Sequence, residues 1–454
     1  MSNNDKLASQ LKAIVGEANV TEDPEKLKAF AVDGVTPAVM VSPGTIEETS
    51  KVVAYAFAEK LAVIPMGGGT KMGLGGIPKK LDILLSTKRL NRFNDYDIAN
   101  LTVAVEGGLT LAEIQAKLAG EGRGYFIPLD PQHTQAATVG GIVATNDSGS
   151  KRFLYGACRD FILGMKAVMP NGDIVSAGGK AVKNVAGYDM TKLVIGSMGA
   201  IGILCEITFR ITPRPDAEET LLFPFNSLNQ GAGFLRKLLH SKFYPASLEL
   251  INAKMAAGLK ATSALKGQYI AAIAVEGIEE WVARLKKDLS EMGRQEGATD
   301  VVALAGDAHR DFWLAYRDIA DTQAKTHPNL VALKANFALS KVTEMVGAFE
   351  AGLKEAGLDA ALYCRAGNGI LHAVIPLGDE MGAKAAAVVS LIGKLTDAAV
   401  KNEGNLIVER APKTIKEKVN VWGKTRSDAV VVRRLKEKLD PSGILNTGRY
   451  VAGV

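Results

Sequence analysis

Cysteine is scarce in this chain of 454 residues, which contains Cys158, Cys205, Cys364 and no C-x-x-C pair. An iron–sulfur cluster needs a full set of thiolates close together, so we expect the chain to carry none of its own. A disulfide framework is equally disfavoured, and separate thiols suit a reducing compartment. We therefore expect a cytoplasmic protein.

Long apolar runs and a strong charge of one sign are absent as well. No stretch reaches the roughly 18 apolar residues that suggest a membrane-spanning helix, and the charged opening residues lack the apolar centre of a secretory signal. The 54 basic and 49 acidic residues give a net charge of +5, too small an excess for a dedicated nucleic-acid binder. We expect no nucleic-acid partner and no transmembrane segment, with any membrane association peripheral and made through a partner protein.

Two common nucleotide-binding motifs are missing. No G-x-G-x-x-G follows an apolar strand and no G-x-x-x-x-G-K-[ST] occurs, which disfavours a Rossmann-type NAD enzyme and a Walker loop. Glycine itself is abundant, with 47 residues, and it clusters inside apolar, patterned segments. Because glycine allows positive φ angles and close approach of the main chain, this distribution predicts ligand-binding loops built from backbone.

Short apolar strands alternate with amphipathic helices after residue 38. Thr45-x-x-Glu48 has the form of a capping box that opens a helix running to about Glu59. Strands are predicted at 61–65, 81–85 and 101–106, and a further helix at 110–118. This order of elements predicts an α+β or α/β fold.

The composition and pattern of the sequence change after Pro213-Arg214-Pro215. Two prolines there follow an apolar strand, which favours a domain boundary. Beyond it alanine rises, glycine becomes rarer, and the elements lengthen. The last residues again carry loops and glycine. We therefore predict three regions, 1–215, 216–405 and 406–454.

Three clusters of small residues stand out as candidates for binding a ligand. They are residues 65–76, residues 128–149, and residues 183–202, which include KNVAGYD at 183–189. Successive glycine amides after a strand can form a nest that donates hydrogen bonds to phosphate oxygens, although a lone triple glycine is as often a mobile turn. Three such clusters in one region favour a ligand cradle.

These motifs together resemble a known family. PMGGGTKMGLGG, TVGGIVATNDSG and KNVAGYDMTKLVIGSMGAIGI are similar to the FAD-binding domain of the vanillyl-alcohol-oxidase/PCMH superfamily, and most of all to glycolate oxidase and D-lactate dehydrogenase flavoprotein subunits. The terminal LKEKLDPSGILNTGRY resembles the closing signature of that family. The resemblance covers the chain from about residue 20.

The resemblance implies an α+β fold made of three parts. Region 1–215 would be a PCMH-type FAD-binding domain with two α/β subdomains. Region 216–405 would be an α+β cap domain, in which helices flank an antiparallel sheet and the substrate binds. Region 406–454 would return to the flavin.

The resemblance also implies which residues hold FAD. Gly67 to Thr70 would bind the pyrophosphate, the second cluster would line the dinucleotide, the third would support the adenine side, and Asn446 would reach the isoalloxazine. The expected set is Pro65, Gly67, Gly68, Gly69, Thr70, Lys71, Gly75, Pro128, Asp130, Thr138, Gly140, Gly141, Thr145, Asp147, Ser148, Gly199, Gly202, Ile203 and Asn446. Some members tether FAD through His or Cys in the first glycine loop; this loop has neither, so noncovalent FAD is expected.

Metal-dependent members of the family carry G-H-x-G-D-G-N-L-H and a later G-E-H-G. This chain reads CRAGNGILH at 364–372 and VER at 408–410. His372 and Glu409 therefore match, whereas Arg365 and Arg410 replace two imidazoles. A guanidinium group offers no lone pair to a metal ion, so we expect no metal here.

Arg365 and Arg410 suggest a different use of the same positions. They can grip a substrate carboxylate in bidentate fashion, or form structural ion pairs in which Glu409 neutralises one of them. His372 is a candidate general base for the substrate hydroxyl, with a buried core histidine as the alternative. His133, near the second cluster, is a weaker candidate for lining the site. Surface or loop positions are expected for His240, His309 and His327.

A further segment matches the substrate side of the family. Phe312-Trp313-x-x-x-Arg317 resembles a helix whose arginine contacts the substrate carboxylate, and Lys334 matches a lysine on the strand that follows. Asp321 stands one helical turn beyond Arg317, where the family tends to have a hydroxyl residue. This departure leaves the substrate geometry open.

The resemblance implies an FAD-dependent dehydrogenase or oxidase that moves hydride from a small 2-hydroxy acid, of glycolate or D-lactate type, to flavin N5. Without a cluster of its own, the chain is expected to pass electrons to an iron–sulfur or electron-transfer-flavoprotein partner. The alternative is an FAD-bearing companion subunit of a glycolate-oxidase-like complex that oxidises no substrate itself. The sequence leaves the acceptor and the oligomeric state open.

Overall fold

The computed structural model describes residues 3–179, 189–327, 329–378 and 381–454. These residues divide into two compact units. The first unit takes Met1–Ser148, Ala157–Arg214 and Thr425–Val454, and the second unit takes Gly149–Gly156 and Pro215–Lys424.

The strands fall into two groups, one in each unit. Those of the first unit are β1 (Val20–Thr21), β2 (Val39–Val41), β3 (Val63–Met66), β4 (Ile83–Ser86), β5 (Phe93–Asp97), β6 (Thr102–Glu106), β7 (Tyr125–Phe126), β8 (Ile162–Val168), β9 (Ile174–Gly178), β10 (Ile203–Arg210) and β11 (Thr212–Pro213). Those of the second unit are β12 (Ala217–Phe225), β13 (Ser247–Asn252), β14 (Tyr269–Gly277), β15 (Val302–Ala305), β16 (Leu330–Asn336), β17 (Ala361–Arg365), β18 (Ile370–Pro376) and β19 (Asn405–Arg410).

Helices occur in both units. In chain order they are α1 (Asn3–Val15), α2 (Pro24–Lys28), α3 (Ile46–Ala58), α4 (Leu111–Ala119), α5 (Val139–Thr145), α6 (Arg152–Tyr155), α7 (Met190–Val194), α8 (Leu228–Leu239), α9 (Ala253–Ala257), α10 (Glu279–Gln295), α11 (Gly306–Arg317), α12 (Ile319–Thr326), α13 (Val342–Glu355), α14 (Met381–Lys401), α15 (Lys413–Lys416) and α16 (Ala429–Leu439). In the described part of the chain, no helix combines the length and the apolarity needed to cross a membrane.

The first unit contains two main sheets, in agreement with the expected pair of subdomains. One has the order β1-β2-β4-β3, with β2 and β3 parallel to β4. The other has the order β5-β6-β10-β8-β9 and is antiparallel throughout. The apolar stretches predicted as strands form β3, β4 and β6, because their side chains are buried on both faces of these sheets.

The two predicted helices of this unit are confirmed as α3 and α4. Thr45 Oγ1 accepts a hydrogen bond from the backbone N–H of Glu48 at 3.0 Å, as a helix N-cap does. The Glu48 carboxylate, however, accepts from the N–H of Gly44 at 2.7 Å, one residue earlier than the expected capping box requires. The start of α3 is therefore fixed by Thr45, as predicted.

The chain end of the first unit runs beside β3. The N–H of Val63 donates to the carbonyl of Ile444 at 2.8 Å, and the N–H of Asn446 donates to the carbonyl of Val63 at 2.9 Å. This pairing places the residues after Asn446 next to the glycine loop that follows β3. The closing segment of the sequence thus reaches the same region as the first glycine cluster.

The second unit is built on one antiparallel sheet with the order β15-β12-β14-β13-β17-β18-β16-β19. Alternating residues of its strands form two apolar cores, one on each face. Phe312, Trp313 and Tyr316 of α11 cover one face. This is the α+β architecture, with a large antiparallel sheet flanked by helices, that the sequence predicts for region 216–405.

The observed units differ from the predicted regions at two places. Residues 406–424 belong to the second unit because β19 pairs with β16 at the edge of the large sheet. Residues 149–156 also belong to it. Composition could not indicate either assignment, because both depend on pairing partners distant in the sequence.

The segment 149–156 is held in the second unit by buried charges. Lys151 Nζ lies 2.7 Å from Glu218 Oε1 and also contacts the carboxylate of Glu276, to which Tyr155 O–H donates. Phe153 packs against the apolar core of this unit. Burial raises the pKa of Glu276. At Glu218 burial also favours a higher pKa, but the charge and hydrogen bond of Lys151 outweigh it, so the pKa of Glu218 is lowered.

Candidate functional site

The first unit contains a cavity that is partly open to solvent. Its wall comes from the loop after β3, from α5 and its flanks, from residues 198–204, and from Arg449. Of the residues predicted to contact the cofactor, the wall includes Pro65, Gly67, Gly68, Gly69, Thr70, Lys71, Thr138, Gly140, Gly141, Thr145, Asp147, Gly199, Gly202 and Ile203. The three glycine-bearing clusters of the sequence therefore contribute to one cavity.

Two glycines in this wall allow its segments to pack closely against one another. A Cβ atom added to Gly68 would overlap the carbonyl oxygen of Ala136. Gly199 has a φ of +73°, and a Cβ atom there would lie 2.6 Å from Cγ of Pro65. At both positions the backbone approaches a neighbouring segment too closely for any other residue.

One ion pair joins the first and second clusters. Lys71 Nζ lies 2.6 Å from Oδ2 of Asp147, and the aspartate is almost fully buried. Thr138 caps α5 by accepting a 3.4 Å hydrogen bond from the N–H of Gly141. These contacts fix the side of the cavity where both clusters meet.

Several predicted contact residues lie outside this wall. Ser148 Oγ accepts a hydrogen bond from the N–H of Cys158 at 2.9 Å, and Asn446 Nδ2 donates to the carbonyl of Met198 at 2.6 Å. Gly75 packs closely against the carbonyl oxygen of Arg449. The remaining ones, Pro128 and Asp130, are buried away from the cavity wall, and His133 is half-buried and also outside it.

Two of these positions, Gly75 and Asn446, contact residues that do line the cavity. Asn446, for example, fixes Met198, which is part of the wall. The predicted motif at 183–188 lies outside the described residues.

Other wall residues were not among the predicted contacts. They are Met66, Met72, Thr87, Ala137, Ile142, Ala144, Met198, Leu204 and Arg449. Most of them are neighbours of predicted residues within the same motifs, so extending each motif by one or two positions would have found them. Arg449 lies in the closing NTGRY motif, of which the prediction named only Asn446.

A second group of polar residues lies on one face of the large sheet in the second unit. Register places Glu249 opposite Arg365, Tyr363 opposite His372, and His372 opposite Lys334. Because side chains alternate along strands, all of these point to the face covered by α11. The predicted residues Arg365, His372 and Lys334 therefore come together in the structure.

His372 is almost fully enclosed in this group. It is 3% exposed, and its ring stacks on Tyr363 with centroids 4.6 Å apart. Nδ1 lies 3.3 Å from Oε2 of Glu409, and neither ring nitrogen has a hydrogen-bond partner with good geometry among the described residues. Burial lowers the pKa of His372 to about 4, although Glu409 opposes this effect. The imidazole is therefore neutral at neutral pH.

Glu409 reaches His372 from a β-bulge. Val408 pairs with Leu333 and Arg410 pairs with Ala332, so Glu409 is an extra residue in β19. Such bulges redirect side chains beside functional sites. The Glu409 carboxylate, 19% exposed, also lies 3.7 Å from Nζ of Lys334.

The predicted arginines occupy different environments. Arg365 is buried beside Glu249, whose carboxylate accepts a hydrogen bond from the Tyr316 hydroxyl. Arg410 is exposed, and its Nη1 lies 3.5 Å from Oδ1 of Asp321. Arg317, at the end of α11, is half-buried. Asp321, which stands where the family tends to have a hydroxyl residue, is thus the ion-pair partner of Arg410.

One histidine is placed differently from the prediction. His309, expected at the surface or in a loop, is buried on α11, and its Nδ1 lies 2.8 Å from Thr220 Oγ1. That oxygen accepts a hydrogen bond from Trp313 Nε1, so the threonine hydroxyl can donate to His309. The prediction was wrong because polar residues around His309 hide its burial in the sequence. His240 and His327 are exposed, as predicted.

Family comparisons agree with this arrangement. The family described as "FAD binding domain" matches residues 37–178, and the family described as "FAD linked oxidases, C-terminal domain" matches residues 214–450. The chain belongs to the FAD-linked oxidases. It therefore is an FAD-dependent oxidoreductase of the vanillyl-alcohol-oxidase/PCMH superfamily, as the motifs indicated.

Two curated relatives of this FAD-linked oxidase are similar to it over most of its length. It is 26% identical over 423 residues to glycolate oxidase subunit GlcD of Bacillus subtilis (strain 168), covering 92% of this chain and 89% of that protein. It is also 26% identical over 465 residues to the mitochondrial D-lactate dehydrogenase [cytochrome] of Arabidopsis thaliana, covering 98% of this chain and 80% of that one. These similarities span both units.

Among solved structures, p-cresol methylhydroxylase with substrate bound has a TM-score of 0.75 and 17% identity to this FAD-linked oxidase. The match covers 99% of this chain and 97% of the other. At this identity the likeness concerns the fold alone.

The cavity of the first unit fits FAD. Gly68 and Gly199 allow segments of its wall to pack closely, and backbone amides of the glycine loop can donate to a pyrophosphate. The wall residues named above are the ones that would hold the dinucleotide.

A divalent metal does not fit the second group. In the residues described, no three His, Cys, Asp or Glu side chains lie together as a metal site. His372 and Glu409 are accompanied by the cations Lys334 and Arg365, which repel a further cation. A metal ion therefore has no part in the chemistry proposed for these residues.

Proposed function

We propose that this FAD-linked oxidase oxidises a small 2-hydroxy acid, of glycolate or D-lactate type, to the 2-oxo acid. Bound FAD would supply the two-electron acceptor for the hydride that leaves the substrate's α-carbon. The observation that carries the proposal is His372, a buried, neutral histidine beside a carboxylate and a lysine, with Nε2 lacking a hydrogen-bond partner among the described residues.

His372 would act as the general base. With its proton on Nδ1, which faces Glu409, the lone pair lies on Nε2 and can accept the proton of the substrate hydroxyl. Loss of that proton and loss of hydride from the α-carbon together yield the 2-oxo acid, so protons and electrons balance. The imidazolium that forms is stabilised by Glu409.

Cations close to His372 would bind the substrate carboxylate. Lys334 is its cross-strand neighbour, and Arg365 lies on the same face of the sheet. Arg317 and Arg410 are proposed as further carboxylate ligands, with Arg410 sharing its charge with Asp321. An arginine or lysine that binds an α-carboxylate also orients the adjacent carbon for reaction.

The names of two relatives support this choice of substrate. One relative is a glycolate oxidase subunit and another a D-lactate dehydrogenase, and both act on small 2-hydroxy acids. At 26% identity they do not identify the acid that this chain uses. Both candidates therefore belong in the test.

We further propose noncovalent FAD and a separate electron acceptor. The cavity wall contains neither His nor Cys in its described residues, and residues 180–188 contain none either. With three cysteines, the chain cannot hold an iron–sulfur cluster by itself, so an iron–sulfur or electron-transfer-flavoprotein partner would take the electrons. The free thiols suit a cytoplasmic location.

The test is anaerobic titration of the FAD-loaded protein with glycolate, D-lactate and L-lactate, with a chelator present. We expect glycolate or D-lactate to bleach the visible flavin band and to yield an equivalent amount of 2-oxo acid. His372→Asn should slow the bleaching strongly, whereas His240→Asn, at an exposed position, should not.

Two results would count against the proposal. A flavin band that persists with every acid, yet is bleached by dithionite, favours the companion subunit that holds FAD without oxidising substrate. Activity that the chelator abolishes and zinc or manganese restores would show that a metal takes part.

A further inference from the structure

Arg449 is a buried cation in the wall of the FAD cavity. It is 3% exposed, and burial lowers the pKa of its guanidinium to about 10, although Asp33 opposes this effect. The group therefore remains charged at neutral pH. Because burying a charge is costly, its hydrogen bonds must compensate for lost hydration.

The guanidinium spans two segments of the first unit. Nη2 donates to the carbonyl of Met72 at 2.6 Å and to that of Leu74 at 2.8 Å, both in the glycine loop after β3. Nη1 donates to Oδ1 of Asn446 at 2.8 Å. Asn446 in turn donates to the carbonyl of Met198, which is on another part of the wall.

Backbone hydrogen bonds also tie the far end of the same loop to the closing segment. The N–H of Gly76 donates to the carbonyl of Arg449 at 2.9 Å, and the N–H of Lys79 donates to that of Thr447 at 3.2 Å. The stretch from Met72 to Leu74 is instead tied to the closing segment through the Arg449 side chain. Removing the side chain should therefore loosen this stretch while the rest of the loop stays in place.

We propose that Arg449 is a positioning residue for the FAD site, which clamps the loop at Met72–Leu74 to Asn446 and so keeps the cavity in its FAD-binding form. Its planar fork suits this role, because it can donate to several carbonyl oxygens in fixed directions. The proposal rests on FAD binding, which family membership shows, and is independent of which substrate is oxidised.

The test is FAD affinity, measured by titrating the apoprotein with FAD and following the quenching of flavin fluorescence. Arg449→Ala should weaken binding roughly 10- to 100-fold, as expected when charged hydrogen bonds are lost. Ethylguanidinium, added below denaturing concentrations, should restore much of that affinity. The matched control is Arg89→Ala, which removes an arginine bonded to the carbonyl of Ser42 and absent from the cavity wall.

A second variant keeps the test decisive if Arg449→Ala fails to fold. Arg449→Lys retains the charge without the planar fork, so it should bind FAD more weakly than the wild type while the melting temperature of its apoprotein matches that of the control. If acid precipitation shows that flavin is covalently attached, the fraction of purified chain carrying flavin replaces the affinity in each comparison.

Three outcomes would overturn the clamp. They are wild-type affinity in Arg449→Ala or in Arg449→Lys, an equal loss of affinity in the Arg89 control, and a loss that ethylguanidinium does not restore. Each is read without substrate, so none depends on the proposed oxidation of a 2-hydroxy acid.

Discussion

Nδ1 of His372 lies 3.3 Å from Oε2 of Glu409, in the second unit of this FAD-linked oxidase. The two residues stand on β18 and β19, which are not neighbours in the sheet, and the bulge in β19 brings them into contact. By the resemblance described above, His372 and Glu409 match positions that form a metal site in metal-dependent members of the family. Here the same pair forms a carboxylate–imidazole dyad, which leaves Nε2 available to accept a proton.

The dyad predicts the effect of Glu409→Gln. The amide keeps the size of the carboxylate beside Nδ1, but it carries no charge to stabilise the imidazolium. We expect the rate of flavin reduction to fall by roughly 10²-fold, a typical contribution of acid–base groups. Glu409 raises the pKa of His372, so the acidic limb of the pH–rate profile should move to lower pH. Glu355→Gln, which changes an exposed carboxylate in the same unit, should alter neither quantity.

Two buried histidines predict how stability depends on pH. Burial lowers the pKa of His372 and His309 to about 4, below the ordinary value of about 6.5. Between about pH 6.5 and 4 the unfolded chain binds protons at these sites and the folded chain does not, so stability falls as the pH falls. At pH 5 each histidine should reduce the free energy of unfolding by about 2 kcal/mol relative to pH 8.

Urea unfolding at several pH values measures this dependence. His309→Gln keeps a partner for Thr220 and should reduce the loss between pH 8 and pH 5 by about 2 kcal/mol, since other groups contribute equally in both proteins. An unchanged pH dependence in the variant would show that His309 does not remain neutral in the fold.

The glycine loop predicts a contrast between two substitutions. Gly68→Ala would place a methyl group on the carbonyl oxygen of Ala136, whereas Gly73→Ala meets nothing within 4 Å. We therefore expect protein with Gly68→Ala to be purified without flavin, and protein with Gly73→Ala to retain it. Flavin content per chain, measured from absorbance after release, distinguishes them. Equal flavin content in both variants would contradict the cradle.

The buried ion cluster around Lys151 predicts a loss of stability. Lys151→Met leaves Glu218 and Glu276 without their cation, which should lower the free energy of unfolding by about 3 kcal/mol. Adding Glu276→Gln should recover part of this loss, because one carboxylate then needs no compensation. Lys286→Met, which breaks a more exposed pair with Glu219, should cost less than about 1 kcal/mol in the same urea assay.

Sequence patterns predicted the cofactor cavity better than the substrate side. The glycine clusters are local in the sequence, and close backbone approach requires glycine at Gly68 and Gly199, so their positions were readable. The bulge at Glu409 depends on how β19 pairs with β16, and nothing in the sequence around it shows an extra residue. The contact of His372 with Glu409 was therefore beyond prediction, although both residues were named.

The boundary between the units and the burial of single charged or polar residues were also not predictable from local sequence. The segment 149–156 joins the second unit through Lys151, whose partners are far along the chain. His309 is buried although its neighbours on α11 are mostly polar. Arg449 escaped notice because a charged residue in a closing motif gives no sign that its side chain turns inward. Each of these features depends on long-range contacts.

The most direct measurement is the anaerobic rate of flavin reduction by a 2-hydroxy acid carrying hydrogen or deuterium at C2. If His372 takes the hydroxyl proton while hydride leaves the α-carbon, the deuterated acid should reduce the flavin distinctly more slowly, and His372→Asn should slow both. Equal rates for the two isotopologues at saturating substrate, or a His372→Asn variant as fast as the wild type, would contradict the proposed function.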